Sequence, residues 1–253
     1  MVEDDVDIRN LLQNTLSYYF RTDGAPDGES GLKMALENHY DLIVSDVMMP
    51  GINGYELTRR LKQNFETCHI PIILLTALNV PDKYQEGIES GADAYIVKPF
   101  SMKLLLARIF NLIEQRNKIR ERFSNDLTYN APVISKNDKD KDFADQMLAI
   151  VKKNMANSDF SADDFAAEMH LGRSIFYKKV KGVTGCSPME YIKKIRMKKA
   201  AELLQDTNLT IADVTYKVGI SDPFYFSKCF KAQFGMAPSA YQKQFKDGGK
   251  KEE

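Results

Sequence analysis

Five side chains in the first hundred residues carry types and spacings that could do chemistry together: Glu3, Asp4, Asp46, Thr76 and Lys98. Each follows a short apolar run. Met1-Val2 leads into Glu3 and Asp4, Leu42-Ile43-Val44 into Asp46, Ile70 to Leu75 into Thr76, and Ala94 to Val97 into Lys98. Carboxylates crowded at one place repel unless a cation joins them, and all-oxygen ligation suits a hard ion such as Mg²⁺. Mg²⁺ beside Lys98 would attract a phosphoryl group, and Thr76 could hydrogen-bond one of its oxygens. Asp46, ligated and aimed outward, could then attack phosphorus to give an aspartyl phosphate. Taken alone, a strand-end Asp is more often a cap, and a Lys-Pro pair is usually a turn. The weight lies in the set, with the residues in order at successive strand ends.

The elements that would position these residues follow from the same runs. Four to eight apolar residues bounded by Pro and Gly read as a buried strand, as in Leu42–Val44 before Asp46, Pro50, Gly51 and Gly54. Tyr18 to Thr22 reads as a polar second strand, and Ile70 to Thr76 is the clearest strand. Ala94 to Val97 is the last, ending in Lys98-Pro99. Helical spacing of apolar residues marks helices after Asp5, around Leu32–Leu36, around Tyr55–Leu61 and from Asp82 to Ser90. A long fifth helix runs from Ser101, its N-cap, towards Arg122. Alternating strands and helices predict an α/β domain over residues 1–122 with a doubly wound, five-stranded parallel sheet. Such sheets place their chemistry beyond the carboxyl ends of the strands. Only Met1 and Val2 precede the acids, so the first strand is expected to be truncated, as in a piece of a longer chain.

Residues 2 to about 120 resemble the receiver domain of bacterial two-component response regulators. The resemblance implies that Glu3 and Asp4 are its acidic pair, Asp46 the phosphoacceptor, Thr76 the switch hydroxyl and Lys98 the invariant lysine. It also implies that the Met48 backbone carbonyl completes the Mg²⁺ site with Glu3, Asp4 and Asp46, that Tyr95 is the aromatic switch, and that Lys98-Pro99 is cis.

The charges of the chain cancel, 35 basic against 35 acidic, but residues 1–130 hold 14 basic and 19 acidic side chains and the rest hold 21 and 16. An acidic half joined to a basic half suggests two tasks, the second with a polyanion partner. Cys68, Cys186 and Cys229 lie far apart, which argues against a zinc site or a disulfide framework and fits a reducing compartment. No apolar run approaches a membrane span, so a cytoplasmic location is expected. The charged stretch Glu114–Arg122 reads as a solvated helix end, or as a signalling helix or dimer contact. Residues 123–142, polar and poor in apolar side chains, read as a linker.

Residues 143–246 contain a repeat, followed by a tail, 247–253, expected to be disordered. Ser161-x-x-Asp164 and Thr210-x-x-Asp213 both have the form of capping boxes. Phe176, Lys178, Val180, Lys181 and Gly185 align with Phe226, Lys228, Phe230, Lys231 and Gly235. Each unit reads as helix, tight turn, helix. Ser187-Pro188 opens a connecting helix that runs to about Gln205, ~27 Å long at ~1.5 Å per residue. A rigid spacer of that length can present two reading helices to successive major grooves. This half resembles the AraC-type transcription-factor domain, in Asp222–Lys231 and Phe234–Ser239 above all. By position in the motif, Ser174, Tyr177 and Lys178 face bases from the first unit and Phe224, Tyr225 and Lys228 from the second, with Arg173, Lys181 and Lys231 on phosphates. Tyr177 and Tyr225 could instead be packing residues. Phe176, Val180, Phe226 and Phe230 are core.

The expected whole is a phosphorylation-controlled, DNA-binding transcription regulator. A histidine kinase would be its phosphate donor, and homodimerisation would use the face of the fourth helix, fifth strand and fifth helix. The arrangement is similar to the C-terminal part of hybrid two-component sensors, with a free-standing response regulator as the alternative. An aspartate-nucleophile phosphohydrolase would typically carry a second Asp two residues after Asp46, where this chain has Met48.

Overall fold

The apolar runs form three parallel strands in the order β1-β2-β3: β1 (Ile43–Asp46), β2 (Ile72–Ala77) and β3 (Ala94–Lys98). Side chains alternate between two apolar layers, as the two-residue period of a strand requires. Ile72 and Leu74 pack with Leu57 and Leu61 on one face, while Ile73 and Leu75 pack with Leu12, Leu16, Leu105 and Ile109 on the other. Helices therefore cover both faces, and the buried part of β2, Ile72 to Leu75, is apolar on both for that reason. These helices are α1 (Val6–Ser17), α2 (Gly28–Glu37), α3 (Gly54–Gln63) and α4 (Met102–Asn125), the last being the long helix read as the fifth in the sequence. The Ser101 hydroxyl accepts from the Leu104 N–H at 3.2 Å, as its expected capping role requires.

The computed structural model describes residues 1–77, 90–125, 138–205 and 208–248. The expected helix from Asp82 lies outside them except for Ser90, which is helical. The expected linker lies outside them between residues 126 and 137, and so does the expected tail beyond residue 248.

The first strand is truncated as expected, to one bridging residue, Val2, which sits between Ala25 and Ser45. Its N–H donates to the Val44 carbonyl and its carbonyl accepts from Asp46, both at 2.9 Å. The second strand is not at Tyr18–Thr22. The amides of Tyr19 and Phe20 still donate to the Leu16 carbonyl and so finish α1, and Ala25 is the residue that pairs with Val2. Among the described residues the parallel order is thus Ala25, Val2, β1, β2, β3, with three full strands.

The chain divides into two units, one built on Met1–Arg122 and one on the helices that follow Lys141. The second unit is all helical: α5 (Asp138–Lys153), α6 (Ala162–Glu168), α7 (Arg173–Thr184), α8 (Pro188–Gln205), α9 (Ile211–Lys217), α10 (Pro223–Phe234) and α11 (Pro238–Gly248). Helix α5 begins inside the stretch read as linker. Its last turn carries Lys152 and Lys153, the sign that suits a helix C-terminus. Helix α11 continues to Gly248, into the stretch read as tail. The repeat is present in three dimensions. Both capping boxes form, Ser161 with Asp164 before α6 and Thr210 with Asp213 before α9. Both α7 and α10 end on a glycine in the left-handed region, Gly185 and Gly235, which a side chain would strain. Phe176, Val180, Phe226 and Phe230 are fully buried, as their core assignment requires.

Candidate functional site

At the carboxyl edge of the sheet, parallel register brings the strand ends level. Asp46 pairs with Leu75, and Ala77 pairs with Lys98. The Lys98 ammonium donates to Asp46 Oδ1 at 2.9 Å and to Glu3 Oε2 at 3.1 Å. Carboxylate oxygens of Glu3, Asp4 and Asp46 all lie within 4.8 Å of one another. The acids after Val2 divide their work. Asp5 caps α1, accepting from the N–H groups of Asp7 and Ile8 at 2.9 and 3.0 Å. The Arg9 guanidinium grips the backbone carbonyls of Glu3 (2.6 Å) and Asp4 (3.3 Å). The turn is fixed through its main chain, and the Glu3 and Asp4 carboxylates are left for the site.

The electrostatics are those of crowded anions with one cation. Burial and the neighbouring Asp46 push the Glu3 carboxyl up from its ordinary value, against the pull of Lys98. Burial pulls the Lys98 ammonium down, but Asp46 and Glu3 outweigh it and hold Lys98 above the ordinary lysine value. One ammonium shared between two carboxylates leaves the cluster short of positive charge. A divalent hard cation fits that deficit and the all-oxygen donors.

Thr76, next to last in β2, is half-exposed, its hydroxyl 3.4 Å from the Ala77 carbonyl. Tyr95 on β3 is half-buried with its hydroxyl 3.3 Å from Ser90 Oγ, and burial pushes its phenol up. The Met48 side chain is exposed. The Lys98-Pro99 bond is cis. Gly54 opens α3 directly behind Asp46: a Cβ there would lie 2.2 Å from the Asp46 carbonyl oxygen. Its role was hidden in the sequence, where it reads only as a helix breaker.

In the helical unit, the outward stripe of α7 is Arg173, Ser174, Tyr177 and Lys181, and that of α10 is Phe224, Tyr225, Lys228 and Lys231. Arg173 is engaged in this conformation, donating to Asp163 at 3.1 Å and lying 5.6 Å over the Tyr177 ring. Lys178 departs from its expected base-facing place, because only 8 % of it is exposed. Its helix is covered from α5. Phe143 packs 6.5 Å from the Phe176 ring, and the ammonium of the adjacent Lys179 lies 5.9 Å over Phe143. The connecting helix also contributes to the frame: buried Arg196 donates to the Asn157 carbonyl just before α6.

The response regulator receiver domain family matches residues 1–110, and a helix-turn-helix domain family matches residues 165–244. Residues 1–110 are a receiver domain, and residues 165–244 an AraC-type helix-turn-helix domain. The chain is similar along nearly its whole length to histidine kinase P4 of Formosa agariphila, 37 % identical over 247 residues that make up 98 % of this chain and 18 % of that protein. The receiver domain is similar to the transcriptional regulatory protein AfsQ1 of Streptomyces coelicolor, 47 % identical over 110 residues, 43 % of this chain and 48 % of that one. Among solved structures, the signal receiver domain of a signal transduction histidine kinase from Syntrophus aciditrophicus is 33 % identical, covering 45 % of this chain and 86 % of that one with a TM-score of 0.43. The chain thus spans less than half the length of either curated relative.

The charged end of α4 is not simply solvated, and nothing in the sequence marks its partner. Arg116 donates to the Asp41 carbonyl at 2.9 Å, and Arg120 reaches the Asp41 carboxylate at 3.3 Å. Burial lowers the Arg116 guanidinium to about 10. Both interactions end two residues before β1, the strand that carries Asp46.

Proposed function

We propose that this chain is a phosphorylation-controlled regulator of transcription in a two-component phosphorelay. Asp46 would accept the phosphoryl group, and the AraC-type domain would bind DNA. The observation that carries this reading is the seating of Lys98 between Asp46 and Glu3, with Asp4 close enough to share a cation. Glu3, Asp4, Asp46 and the Met48 carbonyl would hold Mg²⁺, which supplies charge neutralisation for the incoming phosphoryl group. An Asp46 oxygen bonds to phosphorus as the phosphorus–nitrogen bond of a phosphohistidine breaks, and the departing imidazole takes up a proton. Lys98 then pairs with the transferred phosphoryl oxygens in place of the free carboxylate.

Thr76 and Tyr95 would report the change to the face made by the helix expected from Asp82, β3 and α4, and that face would dimerise. Two tethered readers gain avidity over one. The similarity to a much longer protein named as a histidine kinase supports the reading in which kinase and receiver share one chain. Among the described residues no helix is long and apolar enough to cross a membrane, in keeping with a cytoplasmic place for these two domains. A phosphohydrolase is disfavoured, because the residue two beyond Asp46 is an exposed Met48 with no proton to donate.

Intact mass after incubation with acetyl phosphate and Mg²⁺ tests the reading. The wild type should gain about 80 Da as a labile adduct, and Asp46→Ala should gain nothing. A gain in both, or in neither while both remain folded, would sink it.

A further inference from the structure

The reading helix α10 carries an unusual outward face. Phe224 is 88 % exposed and Tyr225 beside it 50 %, so the helix offers water a paired aromatic surface. The Phe224 backbone is held at the helix start: Pro223 occupies the first turn, and the Asp222 carboxylate accepts from the Phe224 N–H at 2.8 Å. The place from which its side chain projects is therefore set before anything binds.

Part of the polar chemistry at α10 is committed elsewhere. Arg is missing from Pro223–Phe234, so the usual fork for guanine is absent. Gln233 donates to the Lys194 carbonyl at 3.3 Å, and the Asp222 carboxylate caps the helix. Lys228, Ser227 and the Tyr225 hydroxyl are the polar groups beside Phe224. Of the groups displayed in the major groove, the thymine 5-methyl is the one that matches an exposed phenyl ring.

Resting on the DNA-binding reading above, we propose that Phe224 recognises the 5-methyl group of thymine, so that the half-site beneath α10 is specified by apolar contact. In the repeat, Phe224 corresponds to Ser174, whose hydroxyl is exposed at the same place on α7. The two units therefore read different chemistry, and the full site is asymmetric.

The test uses the full chain with Mg²⁺ and acetyl phosphate. A tight duplex is selected from a random library. Each thymine is then replaced singly by deoxyuridine, which deletes only the methyl, and affinity is measured by fluorescence anisotropy at fixed salt. Replacement at one or two positions within one half-site should weaken binding about fourfold, the worth of one buried methyl-sized group. In Phe224→Ala those penalties should vanish while penalties elsewhere persist. The high exposure of Phe224 means that this variant keeps its core. The proposal is overturned if Phe224→Ala binds as tightly as wild type, as it would if the aromatic pair served a protein partner. It is also overturned if the deoxyuridine penalties survive in the variant, or if no thymine is sensitive in a specifically bound site. If the wild type shows no sequence-specific binding at all, the DNA reading itself fails and takes this proposal with it.

Discussion

Lys98 donates to the Asp46 carboxylate across 2.9 Å, so the ammonium already sits beside the oxygen that would accept a phosphoryl group. Lys98→Met should therefore damage the fold and the chemistry together. Removing a partner from a buried ion pair costs ~3–5 kcal/mol, and the partial exposure of Lys98 reduces this to about 2 kcal/mol. Urea denaturation at pH 7 would show that loss. The same variant should also label more slowly with acetyl phosphate, and labelling at the wild-type rate would mean that Lys98 serves the fold alone.

Glu3 supplies the pH dependence. Burial and Asp46 raise its carboxyl above the ordinary 4.5, with Lys98 opposing. A carboxyl raised on folding adds stability below its unfolded value, and that stability is lost as pH rises through the folded value. Without a divalent cation the receiver domain should therefore be strained at pH 7 relative to pH 4.5. Mg²⁺ should restore stability most where Glu3 is ionised, by about 2.7 kcal/mol at a hundredfold excess over its Kd. Glu3→Gln should be more stable than wild type at pH 7 without Mg²⁺, yet gain little from adding it. Thermal melts at both pH values, with and without Mg²⁺, give the answer. An unchanged Mg²⁺ response in Glu3→Gln would remove Glu3 from the cation site.

Much of this edge is legible in the sequence because each apolar run stops at or next to a residue that the structure places at the strand end. Val44 is followed by Ser45 and Asp46, and Leu75 directly by Thr76. The second strand was not legible. Tyr18–Thr22 has enough aromatic and β-branched character for a strand, but pairing there is decided by where Val2 lies, and Val2 meets Ala25. Lys178 was not legible either: it is buried, and α5, which packs Phe143 against the neighbouring Phe176, begins in a stretch whose composition reads as tether. The Arg116–Asp41 hydrogen bond joins residues 75 apart, and a charge run by itself gives no sign of such a partner. The repeat fared better, since Ser161–Asp164 and Thr210–Asp213 are local devices that need no distant residue.

The two arginines on α4 should behave differently. Arg116 bonds to the Asp41 backbone carbonyl, whereas Arg120 reaches the Asp41 side chain, which is 71 % exposed. Asp41→Asn should thus cost well under ~1 kcal/mol, as exposed ion pairs do. Arg116→Ala removes a charge-assisted bond and a half-buried side chain, and should cost about 1.5–3 kcal/mol. Urea denaturation of the two variants should rank them in that order. The reverse order would mean that the carboxylate, and not the strand backbone, holds the helix.

Lys181 and Lys231 occupy equivalent exposed positions about two turns into α7 and α10, beyond the residues expected to face bases. Phosphate contacts fix register and carry no sequence information, but each releases condensed counterions. Replacing either lysine by Gln should weaken binding to every duplex by a similar factor and leave the preferred sequence unchanged. The slope of log affinity against log salt should become shallower by about 0.9 for each phosphate that is no longer neutralised. Because the two units repeat, the double variant should shift the slope by about 1.8, twice the effect of either single change. A lysine whose replacement changes which sequence is selected, with the salt slope intact, would be reading a base and not a phosphate.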